Sequence, residues 1–316
     1  MACFRYVGQQ LPGAGSGIAA ITAGVSLLSL SDALVKLNSE GLSLGQVLMV
    51  RSCFAVLCLG AVLRLTTGAQ RSHVRVSGWV WLRSLCLALM WGCYYAGLPK
   101  LSFSIAAACY YTSPMWMAFL SSVLLGTRIG ALGGLAIILG LAGVVTILRP
   151  GPDDVSPMIA LPLLAGFLYA LAAVITQGRC RAVPALAMAM NLNLVLLLSG
   201  LGLVAGLWWS GHGNDAGFLR SVWPALQAAD LALLAGLGVL LAVIAALVAY
   251  AYQRASAPVI GLFDNAYLVF ALFWSVLIFG DRAGSIDLLG IVLIASGALL
   301  ATMASVNRRP DPSEED

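Results

Sequence analysis

Five charged side chains interrupt the apolar stretches that make up most of this sequence: Asp32, Lys36, Arg51, Arg83 and Asp264. A stretch of about 20 apolar residues is long enough to cross a bilayer. A charge inside such a stretch costs roughly 2.5–3.5 kcal/mol on insertion scales, so it is retained either to pair with another group or to serve a function. These residues are therefore the first candidates for chemistry.

The first three of these charges lie close together in the sequence. Asp32 and Lys36 are four residues apart, so on a helix they share one face and can pair. Arg51 lies roughly 12 Å along the next predicted span, at ~1.5 Å per residue, which places it at a similar depth. One interpretation is an outer gate whose charges separate when the halves of the protein move, and the other is a structural ion pair or a lysine that extends to the headgroups. Arg83 opens its predicted span near the membrane surface, where extension to the headgroups is expected.

Asp264 has a different setting, because no basic residue occurs in its own predicted span. It lies about eight residues into that span, with Asn265 beside it and Tyr267 shortly after. A carboxyl group there suits proton coupling or recognition of a cationic substrate. The alternative is a hydrogen bond to a neighbouring helix.

One stretch of the sequence occurs twice. Residues 99–150 align with residues 253–304 without a gap, at an offset of 154 residues. Each copy has an apolar run, a Gly-x-Arg-x-Gly loop that starts at Gly126 or Gly280, and a second apolar run. We interpret this self-similarity as an internal duplication.

The duplication relates two candidate binding groups, because Asp264 and Asn265 correspond at that offset to Tyr110 and Tyr111. If the two halves face each other, a carboxylate lies opposite an aromatic wall, which suits an amphipathic organic molecule. Aromatic residues in membrane helices also serve in packing or in interfacial belts, and this alternative stays open. The candidates for substrate binding are Asp264, Asn265, Tyr267, Tyr110, Tyr111, Trp91 and Tyr94.

Composition places these residues in a bilayer. Of 316 residues 61% are hydrophobic and 9% are charged, and the mean hydropathy is +0.96. A water-soluble domain cannot cover its surface with so few charges. Ten segments are long enough to span: 18–38, 42–66, 77–98, 101–125, 131–149, 157–177, 183–209, 230–252, 256–279 and 285–306.

The predicted fold is an all-α integral membrane protein, with ten transmembrane helices in two inverted five-helix repeats. The repeats are inverted because five is odd, so the second copy enters the membrane from the opposite side. Inverted repeats are common in secondary transporters, which hold the substrate near the midplane. Lysine and arginine in the loops place both termini in the cytoplasm. The expected divisions are a cytoplasmic lead (1–17), the first repeat (18–150), the second repeat (151–306) and a cytoplasmic tail (307–316).

Several motifs resemble the drug/metabolite transporter superfamily, in its ten-span EamA-type branch. They are Asp32-Ala33-x-x-Lys36, Arg51-Ser52, Arg83, Tyr94-Tyr95-Ala96-x-x-x-Pro99, the stretch from Ala106 to Pro114, and the segment from Gly143 to Pro150. The likeness covers residues 18–306 and implies a carrier of metabolites such as amino acids, nucleotide-like compounds, vitamins, polyamines or drugs. The family usually has an acidic residue after Leu-Gly or Phe-Gly in each half, and this chain has Thr127 and Asp281 there.

Together these observations predict a secondary transporter in the inner membrane that moves a small organic metabolite by alternating access. The expected partners are that metabolite, amphipathic or cationic in character, the lipid bilayer, and protons as a candidate coupling ion. The protein is expected to be a monomer or a homodimer that does not bind nucleic acid. The alternative is a passive channel or facilitator, or a lipid scramblase, because inverted architecture does not require energy coupling. No enzymatic activity, cofactor or metal is expected, since His73 and His212 fall in loops outside any metal-ligand spacing.

Overall fold

The computed structural model describes residues 14–67, 77–126, 130–148, 157–180, 183–254, 263–281 and 284–306. Within these ranges the chain is helical and contains no strand. The helices are α1 (Ala14–Leu37), α2 (Leu44–Thr67), α3 (Gly78–Gly97), α4 (Phe103–Tyr110), α5 (Ser113–Leu125), α6 (Ala131–Leu148), α7 (Ala160–Arg179), α8 (Ala185–Trp209), α9 (Ala228–Arg254), α10 (Ala266–Phe279) and α11 (Ser285–Val306).

The exterior of the bundle is apolar, as a bilayer requires. Large side chains such as Leu57, Ile138 and Val269 are 63%, 64% and 68% exposed. Five helical segments of the described residues are long and apolar enough to cross a membrane: Gly15–Leu37, Leu44–Arg64, Pro157–Thr176, Leu186–Trp209 and Ala228–Ala245. Shorter apolar segments lie at Ala131–Thr146, Ala266–Phe279 and Leu288–Leu300.

The fourth span, which the sequence predicts over 101–125, is divided into two helices near Pro114. It consists of α4 and α5, separated by a turn at Tyr111 and Thr112. Pro114 in the first turn of α5 has no amide hydrogen, so it cannot continue the hydrogen-bond ladder of α4. The Thr112 hydroxyl donates to the carbonyl of Cys109 at 2.8 Å and so satisfies one of the carbonyls at the break.

The second repeat is broken at the matching position. A turn at Asn265, which corresponds to Tyr111, precedes α10. The two half-helices α5 and α10 also end alike, at Gly126 with a φ of 69° and Gly280 with a φ of 65°. Glycine adopts this left-handed conformation without the steric penalty of a side chain. The duplication in the sequence is therefore a repeat of structure.

The helix contacts show that the two repeats are related by a two-fold axis. Exchanging the repeats replaces α1 by α7, α2 by α8, α3 by α9 and α6 by α11. The contact of α1 with α9 then becomes the contact of α3 with α7, and both are present. The contacts of α2 with α8 and of α6 with α11 map onto themselves. The chain is thus an all-α membrane protein of two inverted five-helix repeats that interlock.

The helices α6 and α11 cross at very short range. A Cβ atom added to Gly143 would lie 2.8 Å from the carbonyl oxygen of Gly290, and one added to Gly297 would lie 2.8 Å from that of Ala136. These two contacts are equivalent, because both residue pairs are related by the offset of 154. Only glycine permits such an approach of two backbones.

Candidate functional site

Asp32 is the centre of a buried polar network. Its Oδ1 accepts a hydrogen bond from the hydroxyl of Tyr95 at 3.0 Å, and its Oδ2 accepts one from the hydroxyl of Tyr267 at 2.6 Å. All three side chains are buried. Tyr95 lies on α3 of the first repeat and Tyr267 on α10 of the second, so this carboxylate connects the two repeats.

The network continues in both directions from the two tyrosines. Arg51 on α2 donates from Nη1 to the hydroxyl oxygen of Tyr95. The hydroxyls of Tyr94 and Tyr267 are 3.2 Å apart. A phenol has one hydrogen, and Tyr267 gives its hydrogen to Asp32, so Tyr94 is the donor in that contact. A continuous chain of hydrogen bonds therefore runs from α2 through α3 and α1 to α10.

Arg51 is linked to Asp32 by hydrogen bonds through Tyr95. Its side chain is fully buried, and its guanidinium carbon lies 4.9 Å from the ring centroid of Trp91 and 5.2 Å from that of Tyr95. These aromatic faces stabilise the positive charge. The Nε and Nη2 atoms have no hydrogen-bond partner among the described residues.

Lys36 does not form the predicted ion pair with Asp32. Its ammonium group donates to the carbonyl oxygens of Leu98 at 2.7 Å and Leu101 at 2.6 Å, and it lies 5.1 Å from the ring centroid of Phe279. The reason is that the Asp32 carboxylate is already occupied by two tyrosines, while the segment after α3 presents carbonyl oxygens beside the end of α1. Lys36 therefore fastens α1 to the connection between α3 and α4.

The two segments that the duplication relates, Tyr110–Tyr111 and Asp264–Asn265, are in contact. The Tyr111 ring is stacked on Tyr267, with centroids 5.0 Å apart and ring planes at 20°. The Tyr111 hydroxyl donates to the backbone carbonyl of Asp264 at 3.2 Å. Tyr110 packs its ring 5.3 Å from that of Tyr94 and 5.5 Å from that of Tyr169. The aromatic candidates of the first repeat thus meet the helix break of the second.

The Asp264 carboxylate stands apart from these contacts. Tyr111 contacts the Asp264 backbone carbonyl and not its side chain, and the carboxylate makes no hydrogen bond or ion pair with the described residues. Asn265, 8% exposed, is buried at the break itself. The residues that precede this pair, 255–262, lie outside the described part of the chain.

Other residues named from the sequence have structural contacts. Arg83 donates from Nε to the Thr176 hydroxyl at 2.9 Å, so it links α3 to α7 instead of extending to the headgroups. Asp281 accepts a hydrogen bond from the Ser275 hydroxyl at 2.9 Å, at the end of α10. Its counterpart Thr127 lies outside the described residues.

Tyr95 is the main residue that the sequence-based choice of site residues missed. It is fully buried and is the only link between Arg51 and Asp32 that the described residues form. A signal was present, because Trp91 and Tyr95 are four residues apart and therefore share a face of α3. Their ring centroids are 5.1 Å apart, and both rings lie against the same guanidinium.

Two inverted repeats that meet at broken helices are a common architecture of membrane transporters. The chain belongs to the EamA-like transporter family, because the family model matches residues 15–149 and again residues 156–303. The two matches coincide with the two structural repeats.

Similar proteins agree with this assignment. A riboflavin transporter of Rhizobium johnstonii is 28% identical over 253 residues, which are 79% of this chain and 78% of that protein. A crystal structure whose description names no activity superposes with a TM-score of 0.59 at 21% identity. The superposition covers 93% of this chain and 99% of the other, so the two share a fold. The chain is thus a multi-pass membrane protein of a transporter family.

Proposed function

We propose that this protein is a secondary transporter that moves a small organic metabolite across the inner membrane by alternating access between its two repeats. The observation that carries the proposal is the Asp32 carboxylate, which is held by Tyr95 of the first repeat and Tyr267 of the second. Both termini are assigned to the cytoplasm, which the distribution of loop lysine and arginine supports.

The repeats meet at two ends of the bundle. Lys36 contacts the carbonyl of Leu98, so α1 and α3 end on the same side. On that side, a Cβ atom placed on Gly97 of α3 lies 3.7 Å from the Cβ of Leu161 on α7. This contact closes the first end of the interface.

The second contact lies toward the other end. A Cβ atom placed on Gly24 of α1 lies 3.6 Å from the Cβ of Leu247 on α9. Gly24 precedes Asp32 by eight residues, about 12 Å along the helix at 1.5 Å per residue. The two contacts belong to helix pairs that the internal two-fold axis exchanges, with the polar network between them. Such an arrangement suits a carrier that opens one end while it closes the other.

The substrate class that we propose is a planar aromatic metabolite, with riboflavin as the first compound to test. The choice of riboflavin comes from the relative described above, which is named a riboflavin transporter. The rings of Tyr94, Tyr110, Tyr111 and Tyr267 support it from this chain, because they contact one another where the repeats meet. Tyrosine rings provide faces on which a planar ligand can stack.

Proton coupling through Asp264 is part of the same proposal. Its carboxylate makes no hydrogen bond or ion pair among the described residues, and it lies at the break that precedes α10. A carboxyl group that can gain and lose a proton without disrupting a structural contact suits this role. The same group would attract a cationic substrate.

Counterflow in proteoliposomes tests the transport mechanism. Vesicles that contain the purified protein are loaded with unlabelled riboflavin or with buffer, and the uptake of labelled riboflavin is measured. A carrier returns faster to the outer side when loaded, so preloading should raise the initial rate several-fold. An initial rate that is independent of preloading would indicate a channel. Rapid movement of a fluorescent phospholipid between the leaflets of vesicles that contain the protein, and not of empty vesicles, would indicate a scramblase.

A further inference from the structure

Arg51 has one hydrogen-bonding edge that meets no acceptor in the described part of the chain. Its Nη1 donates to Tyr95, whereas Nε and Nη2 are buried and have no partner among the described residues. These two nitrogens direct their hydrogens the same way, so they form the edge that binds two acceptors at once. Buried donors nearly always have a partner, so this edge requires an explanation.

The described residues around Arg51 do not provide acceptors for this edge. The rings of Trp91 and Tyr95 face the guanidinium at 4.9 and 5.2 Å, and they stabilise its charge without accepting in-plane hydrogen bonds from Nε and Nη2. The Asp32 carboxylate is occupied by Tyr95 and Tyr267. The single Nη1 contact would be sufficient if Arg51 served only to support Tyr95.

The second repeat fixes the backbone at Arg51. A Cβ atom added to Gly238 on α9 would lie 2.6 Å from the Arg51 carbonyl oxygen and 2.6 Å from the Cβ of Phe54. The preceding turns of α2 approach α8 as closely, because a Cβ on Gly200 would lie 2.8 Å from the amide nitrogen of Met49. Arg51 is therefore held at the interface of the repeats, where the proposed substrate path runs.

We propose that the Nε–Nη2 edge of Arg51 binds the transported substrate through two adjacent acceptors in one plane, when the repeats separate. The inference rests on the proposed function and defines its substrate class more narrowly. The two acceptors belong either to a carboxylate or to the edge of a planar heterocycle, where a carbonyl oxygen lies next to a ring nitrogen. The isoalloxazine ring of riboflavin has such edges, and Trp91 and Tyr95 lie beside the guanidinium.

The test compares ligands that differ by one acceptor. Purified protein is titrated with riboflavin and with its 1-deaza and 5-deaza analogues, in which a CH group replaces one ring nitrogen. Riboflavin forms one pair with each analogue. Benzoate and benzamide form the third pair, which reports on a carboxylate. In one pair, we expect the parent protein to bind the ligand with both acceptors at least tenfold more tightly than the ligand that lacks one. The pair that shows this preference identifies the source of the acceptors.

Arg51→Lys keeps the positive charge and a donor for Tyr95 but removes the two-donor edge. We expect this variant to bind both members of the preferred pair with equal affinity. Arg64→Lys is the matched control, because Arg64 lies on the same helix with an exposed side chain. This control should retain the preference of the parent.

Arg51→Gln is the second variant, for use if the lysine variant does not fold, and it should also lose the preference. A variant at Arg51 that folds and keeps the tenfold preference would overturn the inference, as would a parent protein without a preference in any of the three pairs. Failure of the proposed function looks different. In that case the preference and its loss at Arg51 persist, while preloading has no effect on uptake.

Discussion

Tyr267→Phe is the most informative single change, because it removes one hydroxyl and leaves the ring. That hydroxyl donates to Asp32 at 2.6 Å and accepts from Tyr94 at 3.2 Å. The stacking of the ring on Tyr111 should survive the change. The variant therefore tests the hydrogen bonds between the repeats separately from aromatic packing.

The expected cost follows from the two bonds that are lost. A hydrogen bond to a charged group contributes about 1.5–3 kcal/mol, and the neutral bond from Tyr94 contributes about 0.5–1.5 kcal/mol. We expect the free energy of unfolding, measured by denaturant titration in mixed micelles, to fall by about 2–4 kcal/mol. Tyr250→Phe is the control, because Tyr250 is 38% exposed and its hydroxyl contact with Ser16 is 3.5 Å long. This control should change the free energy of unfolding by less than about 0.5 kcal/mol.

A double-mutant cycle shows whether the cost comes from the bond to Asp32. In an Asp32→Ala background the Tyr267 hydroxyl has lost its acceptor, so Tyr267→Phe should cost about 1.5–3 kcal/mol less than in the parent. Equal costs of Tyr267→Phe in the two backgrounds would refute the bond as the link between the repeats. If Tyr250→Phe lowered the free energy of unfolding as much as Tyr267→Phe, the loss could not be assigned to the hydrogen bonds of Tyr267.

Three further changes test other parts of the account. Gly143→Ala should lower the free energy of unfolding by about 1–3 kcal/mol through overpacking, because its Cβ would lie 2.8 Å from the Gly290 carbonyl oxygen. Gly134→Ala on the same helix is the control, because its Cβ would meet no atom within 4 Å. An equal effect of both alanines would contradict the close crossing of α6 and α11. Lys36→Met should destabilise the protein by about 1.5–3 kcal/mol for each of its two bonds, to Leu98 and Leu101. The same cost is expected in an Asp32→Ala background, because the partners of Asp32 are Tyr95 and Tyr267. A cost of Lys36→Met that falls by more than about 0.5 kcal/mol in that background would support the ion pair of Asp32 with Lys36 instead. Asp264→Asn should exchange substrate in counterflow but fail to accumulate it against a gradient, and full accumulation by this variant would exclude Asp264 from proton coupling.

The fold of two helical repeats could be predicted from the sequence because its signals are local. Apolar length defines the spans, and the loops that begin at Gly126 and Gly280 reveal the duplication. The same arithmetic related Asp264 to Tyr110, and the structure brings these two segments into contact. An offset between two copies carries this information without any knowledge of packing.

The partners of the buried charges could not be predicted in the same way. The spacing of Asp32 and Lys36 permits a pair, but two tyrosines from other helices occupy the carboxylate. The carbonyls that bind Lys36 belong to Leu98 and Leu101, more than 60 residues away in the sequence. Such a choice depends on which helix ends meet, and the apolar pattern of a single span does not encode this.

The break in the fourth span is an intermediate case. Pro114 indicates a disturbance of the helix, but the turn lies before it, at Tyr111 and Thr112. Its exact place depends on contacts with other helices. A Cβ atom on Gly166 of α7 would lie 2.6 Å from the Tyr110 carbonyl oxygen, so α7 packs directly against the end of α4.

Disulfide cross-links across the two ends of the interface test alternating access most directly. The Cβ separations of 3.6 Å for Gly24 with Leu247 and 3.7 Å for Gly97 with Leu161 lie within the range of about 3.5–4.5 Å for disulfides. Each pair is changed to cysteine in a protein whose seven native cysteines have been replaced, and counterflow is measured before and after oxidation. We predict that either cross-link stops counterflow, that a reductant restores it, and that each single cysteine has no effect. Unchanged counterflow with both cross-links fully formed would contradict transport by relative motion of the two repeats.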